Sequence, residues 1–571
     1  MKNIIVREYL ESLTEREELD YIFPILLEAM NFTIVSTPAM TRGLRQYGKD
    51  IVAVKINEDG IKKRYYFELK GGSDKNITSD SYSKTDGIRE SVYEAKDRAF
   101  EDSSIPGFNE MPVKIIVAHN GVMHPGVKET FDGMIEREFP QPKPGEVAPY
   151  SFERWDIFRL TDLFTEWLFN EYLLVDATST TLFKRVLVLM NTPGNDFGDF
   201  YRLIDFIVKK AGKGGDMGAR KKLLFFETVR MVSFIVYRYA ADENNLEPAK
   251  KCIPYAILRL WHWIIANGLE ADRKIIEHFS KVLRLYAQVL EDYFAKTLPI
   301  AVLQHGLLSE SGGRYEQIGY PIRSMEYLSY LLLYFQLEDH FNIDRSAMAG
   351  QQTSNLVQLL NANDGISRPF FDNHSIPIAL TLNFLIRNGH KGPAISYLRN
   401  VVDCVMLGYR THGRLPDGNN SMDSVIRLAV TRKKSVYYQD STSHLFGMIL
   451  EYMAILNMEE EYRTFRAFIE TAKVDTAIFV PYNDEQLAKY LPEIEPNHEL
   501  QFLNHQLFKE GYQANITLPA DFLEFQKITV EKPAFAYNYR TITAGFPCLL
   551  TLAHVHYKTP LFADDWRLLK P

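Results

Sequence analysis

Three charged side chains near the start of the chain have types and spacing that suit metal-dependent chemistry. Asp50 opens an apolar segment, and Glu68 and Lys70 close a second apolar segment after an intervening turn. Because side chains alternate between the faces of a β-strand, Glu68 and Lys70 should project from one face. Two carboxylates beside an ammonium group can hold a hard divalent cation such as Mg²⁺, whose bound water can attack a phosphodiester.

A predicted β-hairpin brings these side chains together. Segments 50–56 and 64–70 are rich in β-branched and aromatic residues, and Asn57-Glu-Asp-Gly60 supplies the turn. Pairing of the two strands can bring Asp50 beside Glu68. The alternative is that the charged residues of the second strand form a cross-strand ion pair or a solvated face, which is their usual role.

The flanking segments predict a mixed α/β domain. Thr14 and Glu17 have the spacing of a capping box, and apolar residues follow them at helical spacing. Strands are predicted at 32–36, 50–56, 64–70, 113–118 and 152–160, and a closing helix at 161–169.

This order of elements resembles the PD-(D/E)xK, or restriction-endonuclease-like, superfamily. The residues that carry the resemblance are Gly48-Lys-Asp50 and Glu68-Leu-Lys70, in the two strands of the hairpin. The turn at Leu26–Phe32 is most similar to the Mrr-like branch, with Asn31 where glycine is usual. The resemblance covers roughly residues 10–170.

The resemblance implies a nuclease that depends on Mg²⁺ or Mn²⁺. By the resemblance, Asp50, Glu68 and the Leu69 carbonyl are metal ligands, and Lys70 orients the attacking water. It also implies a nucleic-acid substrate, which we expect to be DNA, and a role in defence against foreign DNA.

Three further residues are candidates for accessory roles. Many members of the superfamily carry an additional acid on the first helix, and Glu18 and Asp20 can match it. The alternative is that both acids stabilise the first turn of that helix. Gln46 is a candidate for lining the site, with a turn residue as the alternative.

Two groups of basic residues are candidates for contact with phosphate, and an ordinary solvated surface is the alternative for both. The first group precedes Asp50, and the second lies in the glycine-rich segment 209–222, which lacks a Walker A pattern. The candidates are Arg42, Arg45, Lys49, Lys209, Lys210, Lys213, Arg220, Lys221 and Lys222. Residues 1–170 hold 22 Lys and Arg against 29 Asp and Glu, a balance of −7. We therefore expect the N-terminal domain to need help in binding DNA.

Long helical patterns dominate after the N-terminal domain. We predict a restriction-endonuclease-like α/β domain over 1–172, a mostly α-helical region over 173–514 and a segment of strands and loops over 515–571. The helical region has no recognised pattern, so sensing of a trigger, binding of a partner and oligomerisation all stay open. Asp440-Ser-Thr-Ser-His444 has hydrolase-like residue types but no GxSxG turn, and we interpret it as a helix N-cap.

Composition fits a soluble, cytoplasmic protein. The 571 residues have a net charge of −8, no apolar segment long enough to cross a membrane, and only three cysteines, too few for a disulfide framework. The sequence therefore predicts a Mg²⁺-dependent DNA endonuclease, with a homo-oligomer or a defence-system protein as candidate partners. The alternatives are an RNA-cleaving nuclease and a non-catalytic nucleic-acid or protein interaction module that keeps the nuclease fold.

Overall fold

In the computed structural model the chain forms two compact units, Met1–Asp242 and Glu243–Pro571. The structure describes residues 2–38, 40, 47–57, 60–102, 105–143, 146–168, 177–190, 192, 194, 196–212, 214, 217–341, 345–481, 511–531, 540–558, 566 and 569. Within these residues, no helix has both the length and the apolar character needed to cross a membrane.

A five-stranded mixed sheet forms the centre of the first unit. Its strands, in spatial order, are β1 (Thr33–Ser36), β2 (Ile51–Ile56), β3 (Lys62–Lys70), β4 (Val113–His119) and β5 (Tyr150–Trp155). The first three are antiparallel neighbours, whereas β4 and β5 each run parallel to the preceding strand. A short turn accounts for the reversal between β2 and β3, and longer crossovers that contain helices join β3 to β4 and β4 to β5, as parallel strands require.

Helices pack on both faces of this sheet. The helices of the first unit are α1 (Lys2–Ser12), α2 (Asp20–Ala29), α3 (Ser79–Ser83), α4 (Ile88–Asp97), α5 (Pro125–Glu138), α6 (Ile157–Trp167), α7 (Ala177–Leu189), α8 (Gly198–Ala211) and α9 (Ala219–Asp242). On one face, Tyr66 of β3 belongs to a buried apolar cluster with Val92 of α4 and Phe131 of α5. On the other face, the ring of Phe67 lies 5.5 Å from that of Phe23 in α2.

The predicted hairpin is confirmed, and the predicted last strand is wrong at its end. β2 pairs with β3 in unbroken register from Ile51 opposite Phe67 onward. The strand expected over 152–160 ends at Trp155, because the Asp156 carboxylate accepts the amides of the next turn and starts α6. Ile157 and Leu160, which follow, belong to the buried face of that helix, whereas Phe158 is exposed.

A short π-helix, Glu15–Leu19, links α1 to α2. The amide and hydroxyl of Thr14 donate to Oε2 of Glu18 at 2.7 and 2.9 Å. Glu18 therefore partners Thr14, and a π-turn, which spans one residue more than an α-turn, suits a partner four residues further along. The side chain of Glu17, the predicted capping-box partner, lies outside the described residues.

Helix α9 belongs to the first unit. The hydroxyl of Tyr9 in α1 donates to Glu227 of α9 at 3.0 Å, and Arg230 of α9 forms an ion pair with Glu18. The first compact unit is therefore longer than the segment 1–172, because polar contacts to residues 227 and 230 hold α9 against the N-terminal helices.

The second unit is mostly helical. Its helices are α10 (Glu247–Ala266), α11 (Arg273–Ala301), α12 (Glu316–Phe341), α13 (Arg345–Ala362), α14 (Ser375–Arg387), α15 (Lys391–His412), α16 (Met422–Thr431), α17 (His444–Ile455), α18 (Glu459–Ala472), α19 (Phe522–Glu531), α20 (Arg540–Thr543) and α21 (Cys548–Tyr557). A small sheet joins β6 (Thr442–Ser443), β7 (Asp475–Pro481) and β8 (Gly511–Asn515).

The expectation of strands and loops over 515–571 is wrong for most of its described residues. Helices α19, α20 and α21 occupy much of this segment. Its aromatic residues serve packing rather than strand formation: the ring of Phe546 lies 5.7 Å from that of Trp261 in α10. Apolar content without clear alternation fits a buried helix as well as a strand.

Candidate active site at the open end of the hairpin

Asp50 and Glu68 are neighbours at the open end of the hairpin. The last registered pair is Ile51 with Phe67, so Asp50 lies one residue beyond it, opposite Glu68. Opposed residues of an antiparallel pair have Cβ atoms about 4.5–5.5 Å apart and project from the same face. By strand alternation this is the face of Tyr66, which α4 and α5 cover.

Burial and like charge both act on Asp50. Burial raises the pKa of Asp50 well above its ordinary value, and the charge of Glu68 raises that pKa further. The Leu69 amide, which donates to Oδ2 of Asp50 at 2.7 Å, and the nearby Lys70 act in the opposite direction. A cation or a proton would relieve the repulsion between the two carboxylates.

Lys70 is a partly buried, positively charged partner of Glu68. Its Nζ lies 2.7 Å from Oε1 of Glu68 and 3.9 Å from Oε2 of Glu15. Burial alone would lower the pKa of Lys70, but the charges of Glu68 and Glu15 outweigh burial and hold the pKa above its ordinary value. Lys70 therefore remains an ammonium at neutral pH and can donate hydrogen bonds, but it cannot act as a general base.

Glu15 is the acid from the N-terminal helices that reaches the site, and sequence reasoning missed it. A Cβ added to Gly71, the residue after β3, would lie 2.8 Å from the Glu15 nitrogen, so the two backbones are in close contact. Burial raises the pKa of Glu15, although Lys70 opposes this, and the charge of Glu68 raises it further. Nothing in the sequence signals the π-helix that sets the direction of this side chain.

Of the two predicted accessory acids, Glu18 has partners outside the site. Glu18 binds Thr14 and Arg230. Asp20 begins α2. The strongest charges on Asp50 and Lys70 come from one another, from Glu68 and from Glu15.

The residues before Asp50 are packed tightly against α4. Gly48 has a φ of +69°, and a Cβ there would lie 2.0 Å from the Ser91 carbonyl oxygen. Only glycine fits such a contact at such a φ. This approach fixes where β2 begins and hence where Asp50 lies.

Lys49 is buried rather than exposed, so it is not part of a basic surface. It is 7% exposed, and its ammonium donates to the carbonyls of Tyr47 and Arg98 at 2.9 and 2.8 Å. Burial lowers its pKa to about 8, although Glu94 and Glu68 oppose the shift. The other basic candidates before Asp50, Arg42 and Arg45, lie outside the described residues, as does the accessory candidate Gln46.

The basic segment 209–222 lies between two helices and extends into both. The exposed Lys209 and Lys210 end α8, where cations suit the helix dipole. Lys221, exposed, and Lys222, partly buried, lie in the first turn of α9, where cations oppose the dipole. Lys213 and the Arg220 side chain lie outside the described residues.

His119 lies beside Lys70 in the sheet register. It is fully buried, its Nδ1 lies 3.0 Å from the Lys75 carbonyl oxygen, and burial lowers its pKa to about 4. Within the described part of the chain its Nε2 has no hydrogen-bond partner. His119 is therefore a neutral ring at physiological pH.

The donor set suits a cation held by few protein ligands. Among the described residues, no group of three or more His, Cys, Asp or Glu side chains is arranged to hold a metal ion. Mg²⁺ does not require such a cage, because it is commonly bound by one or two carboxylates together with water and substrate phosphate. The adjacent carboxylates of Asp50 and Glu68 fit that pattern, and a cation between them would offset the charge by which Glu68 raises the pKa of Asp50.

Comparison with protein-family models, curated proteins and solved structures finds no significant match to this chain. The observed topology is a five-stranded mixed sheet with helices, followed by a mostly helical region. Function must therefore be argued from the geometry of the site itself.

Proposed function

We propose that the first unit is a Mg²⁺-dependent nuclease of the restriction-endonuclease-like type that cleaves DNA. The observation that supports it best is the juxtaposition of Asp50, Glu68 and Lys70 at one end of one hairpin. Adjacent buried carboxylates are electrostatically costly unless a cation or a proton compensates them. The placement of two carboxylates and an ammonium together favours a catalytic role over a purely structural one.

In this proposal Asp50 and Glu68 hold Mg²⁺ or Mn²⁺, with the Leu69 carbonyl as a further ligand. The bound metal supplies Lewis-acid activation of water and neutralisation of phosphate charge. Asp50 is oriented for this role by the Leu69 amide, which fixes one of its oxygens at 2.7 Å.

Lys70 positions the attacking water and stabilises developing negative charge. Its raised pKa keeps it protonated, so the proton that the attacking water releases would pass to solvent water rather than to Lys70. Glu15 lies 3.9 Å from the ammonium and restrains its position. We assign Glu15 as a positioning residue, since it acts through Lys70.

We propose that the protein acts in the cytoplasm in defence against foreign DNA. It would act there either as a homo-oligomer or together with a defence-system protein. This part rests on the resemblance of the hairpin motif to the nuclease superfamily. RNA cleavage and non-catalytic binding are the competing functions, and both preserve the same fold.

The test is cleavage by the full chain of supercoiled plasmid, single-stranded DNA and RNA, each with Mg²⁺, with Mn²⁺ and with EDTA. We expect metal-dependent cleavage of DNA and none by Glu68→Gln, which keeps the shape of the side chain but removes its charge. Lys62→Ala is the matched control, because Lys62 is exposed at the opposite end of the same strand. Cleavage of RNA alone would favour the RNA nuclease, and no cleavage of any substrate would favour the binding module.

A further inference from the structure

A group of exposed cations lies in the second unit, where helices α15 and α16 end. Residues 387–434 contain nine Lys and Arg against three Asp and no Glu, a balance of +6 in a chain of net charge −8. Segment 432–437, Arg-Lys-Lys-Ser-Val-Tyr, directly follows α16, and its three cations are exposed. His412, the last residue of α15, is exposed too. We call His412 and segment 432–437 the basic surface.

Hydrogen bonds hold the basic surface in a defined arrangement. The Arg432 guanidinium donates to Nδ1 of His412 at 2.9 Å, which joins the ends of the two helices. The Asn419 side-chain amide donates to the Tyr437 carbonyl at 2.6 Å and fixes the other end of the segment. Because the backbone is held at both ends, little further ordering is needed when a ligand binds.

Acidic neighbours are scarce around these cations. Segment 428–438 contains no Asp or Glu. Among the described residues, the Lys433 side chain forms no ion pair or hydrogen bond, and Lys434 reaches a single acid, Asp440. The positive charge of the basic surface is therefore largely uncompensated within the second unit and suits an external polyanion.

The cations are followed by an exposed apolar tip. Val436 is 90% exposed, more than any other large apolar side chain among the described residues, and Tyr437 is 72% exposed. In duplex DNA an apolar side chain can enter the minor groove while neighbouring cations contact the phosphates on either side. Sites for single strands instead use several aromatic rings on which successive bases stack, and segment 432–437 exposes one such ring.

The charge of the first unit gives such a surface a role. Residues 1–170 have a balance of −7, whereas DNA binding depends on cations that neutralise phosphates. A duplex carries one negative charge per ~1.7 Å of its axis, so consecutive cations can each meet a phosphate. The second unit thus offers the kind of charge that the N-terminal residues lack.

We infer that the basic surface binds the phosphate backbone of duplex DNA. The inference rests on the proposed nuclease function, for which it specifies a duplex as the substrate and assigns much of the affinity to the second unit. Arg432, Lys433 and Lys434 contact phosphates, and Val436 and Tyr437 contact the groove between them.

The test is binding of the full chain to a fluorescent 20-base-pair DNA duplex in EDTA, so that no metal-dependent cleavage intervenes. Lys433→Ala/Lys434→Ala removes two of the cations. We expect the slope of log affinity against log salt to become shallower by about 1.8, at ~0.9 per phosphate contact. At 0.1 M salt this corresponds to a loss of affinity of roughly 10- to 100-fold.

A matched control removes the same charge elsewhere in the second unit. Arg273 and Lys274 are also adjacent and exposed, but they begin α11 among the acids Glu270, Asp272 and Glu277. Arg273→Ala/Lys274→Ala should therefore bind the duplex like the wild type. Thermal unfolding of both double variants shows whether they fold.

Arg432→Gly tests the surface without a cost to folding. Arg432 has a φ of +57°, a conformation that glycine adopts without strain at the end of a helix. The variant should therefore match or exceed the thermal stability of the wild type, while its affinity for the duplex falls several-fold. Reduced stability with unchanged affinity would contradict the role of Arg432 in binding.

Three outcomes would overturn the inference. They are wild-type affinity in Lys433→Ala/Lys434→Ala, equal weakening by the control pair, and tighter binding of the corresponding single-stranded DNA or RNA duplex. Vesicles of phosphatidylcholine and phosphatidylserine test an anionic membrane as the competing partner. Binding to them that requires Lys433 and Lys434, without such binding to DNA, would assign the surface to lipid headgroups instead.

Binding and cleavage can fail separately. Glu68→Gln should bind the duplex no more weakly than the wild type, because the basic surface lies in the other unit. Binding that depends on Lys433 and Lys434 without any Mg²⁺-dependent cleavage would refute the nuclease and leave the duplex-binding surface. Cleavage that is unaffected by loss of both lysines, with unchanged affinity, would refute the surface and leave the nuclease.

Discussion

Asp50 in the first unit and Asp372 in the second are both withdrawn from water, but their surroundings differ. Asp372 is the more deeply buried, at 6% exposed, and accepts hydrogen bonds from the Ser443 hydroxyl and from the amides of His444 and Leu445. Burial raises its pKa, and each of these donors opposes that rise. For Asp50, the charge of Glu68 adds to burial instead of opposing it.

This difference separates a structural carboxylate from a functional candidate. Asp372 and Ser443 together cap the N-terminus of α17, and the Ser443 side chain accepts a hydrogen bond from the Phe446 amide at 3.1 Å. The N-cap interpretation of segment 440–444 is thus confirmed. Depth of burial alone would have selected Asp372 as the more unusual group, whereas the charges of the partners select Asp50.

The largest expected effect is on catalysis. Asp50→Ala removes a proposed metal ligand, and Lys70→Ala removes the group that positions water, so each should lower DNA cleavage by at least about 1,000-fold. Lys70→Ala should still bind Mn²⁺, which titration calorimetry can measure, while Asp50→Ala should bind it weakly. Wild-type cleavage by either variant would place the chemistry elsewhere in the chain.

The next effect concerns stability and should appear in the other unit. Asp372→Ala leaves the Ser443 hydroxyl and two amides at the start of α17 without their acceptor, at a cost of about 3 kcal/mol. Asp50→Ala relieves repulsion with Glu68, so metal-free protein should change by no more than about 1 kcal/mol. Hydrogen exchange in α17 measures the local effect of Asp372→Ala, and thermal unfolding measures the stability of both variants. Comparable destabilisation by both variants would contradict the distinction between a structural Asp372 and a functional Asp50.

Each region also contains a buried neutral histidine. Burial lowers the pKa of His119, beside Lys70, to about 4, and that of His374, near Asp372, to about 3. A histidine whose pKa is lower in the folded protein than in the unfolded chain, where it is about 6.5, favours the folded state at higher pH. This contribution to the free energy of unfolding is lost as the pH falls below that value.

Acid titration of His119 therefore gives the third prediction. Between pH 7 and pH 5 the wild type should lose about 2 kcal/mol through this residue. His119→Asn cannot gain a proton, and its amide can still donate toward the Lys75 carbonyl, so it should lose correspondingly less. Urea unfolding at both pH values measures this, and identical losses in the two proteins would contradict it.

The smallest effect distinguishes the acid found in the structure from the acids expected from sequence. Glu15→Gln removes a charge 3.9 Å from the Lys70 ammonium and should lower kcat about tenfold, or about 1.4 kcal/mol, with little change in thermal stability. Glu18→Gln should lower thermal stability through the loss of its pairing with Arg230 and leave kcat near wild type. The reverse pattern would restore Glu18 as the accessory acid.

The hairpin and the candidate carboxylates were predictable because their signals are local. The β-branched and aromatic residues of the two segments and the residues Asn57–Gly60 predict the hairpin, and strand geometry then sets Glu68 and Lys70 on one face. The helices of the second unit were predictable for a similar reason, since apolar spacing along one segment suffices. The start of α6 was mispredicted because apolar residues occur on both sides of Asp156, and the change from strand to helix at that residue leaves no gap between them.

The sequence by itself determined which residue types are available for metal chemistry and which hairpin presents them. Only the tertiary structure decided that Glu15 rather than Glu18 reaches Lys70. It also decided that Lys49 is buried, with its ammonium donating to the Arg98 carbonyl. Those outcomes depend on contacts between segments far apart in the chain, such as the close approach of Gly71 to Glu15. Local propensity does not encode such contacts, because they are set by how completed elements pack together.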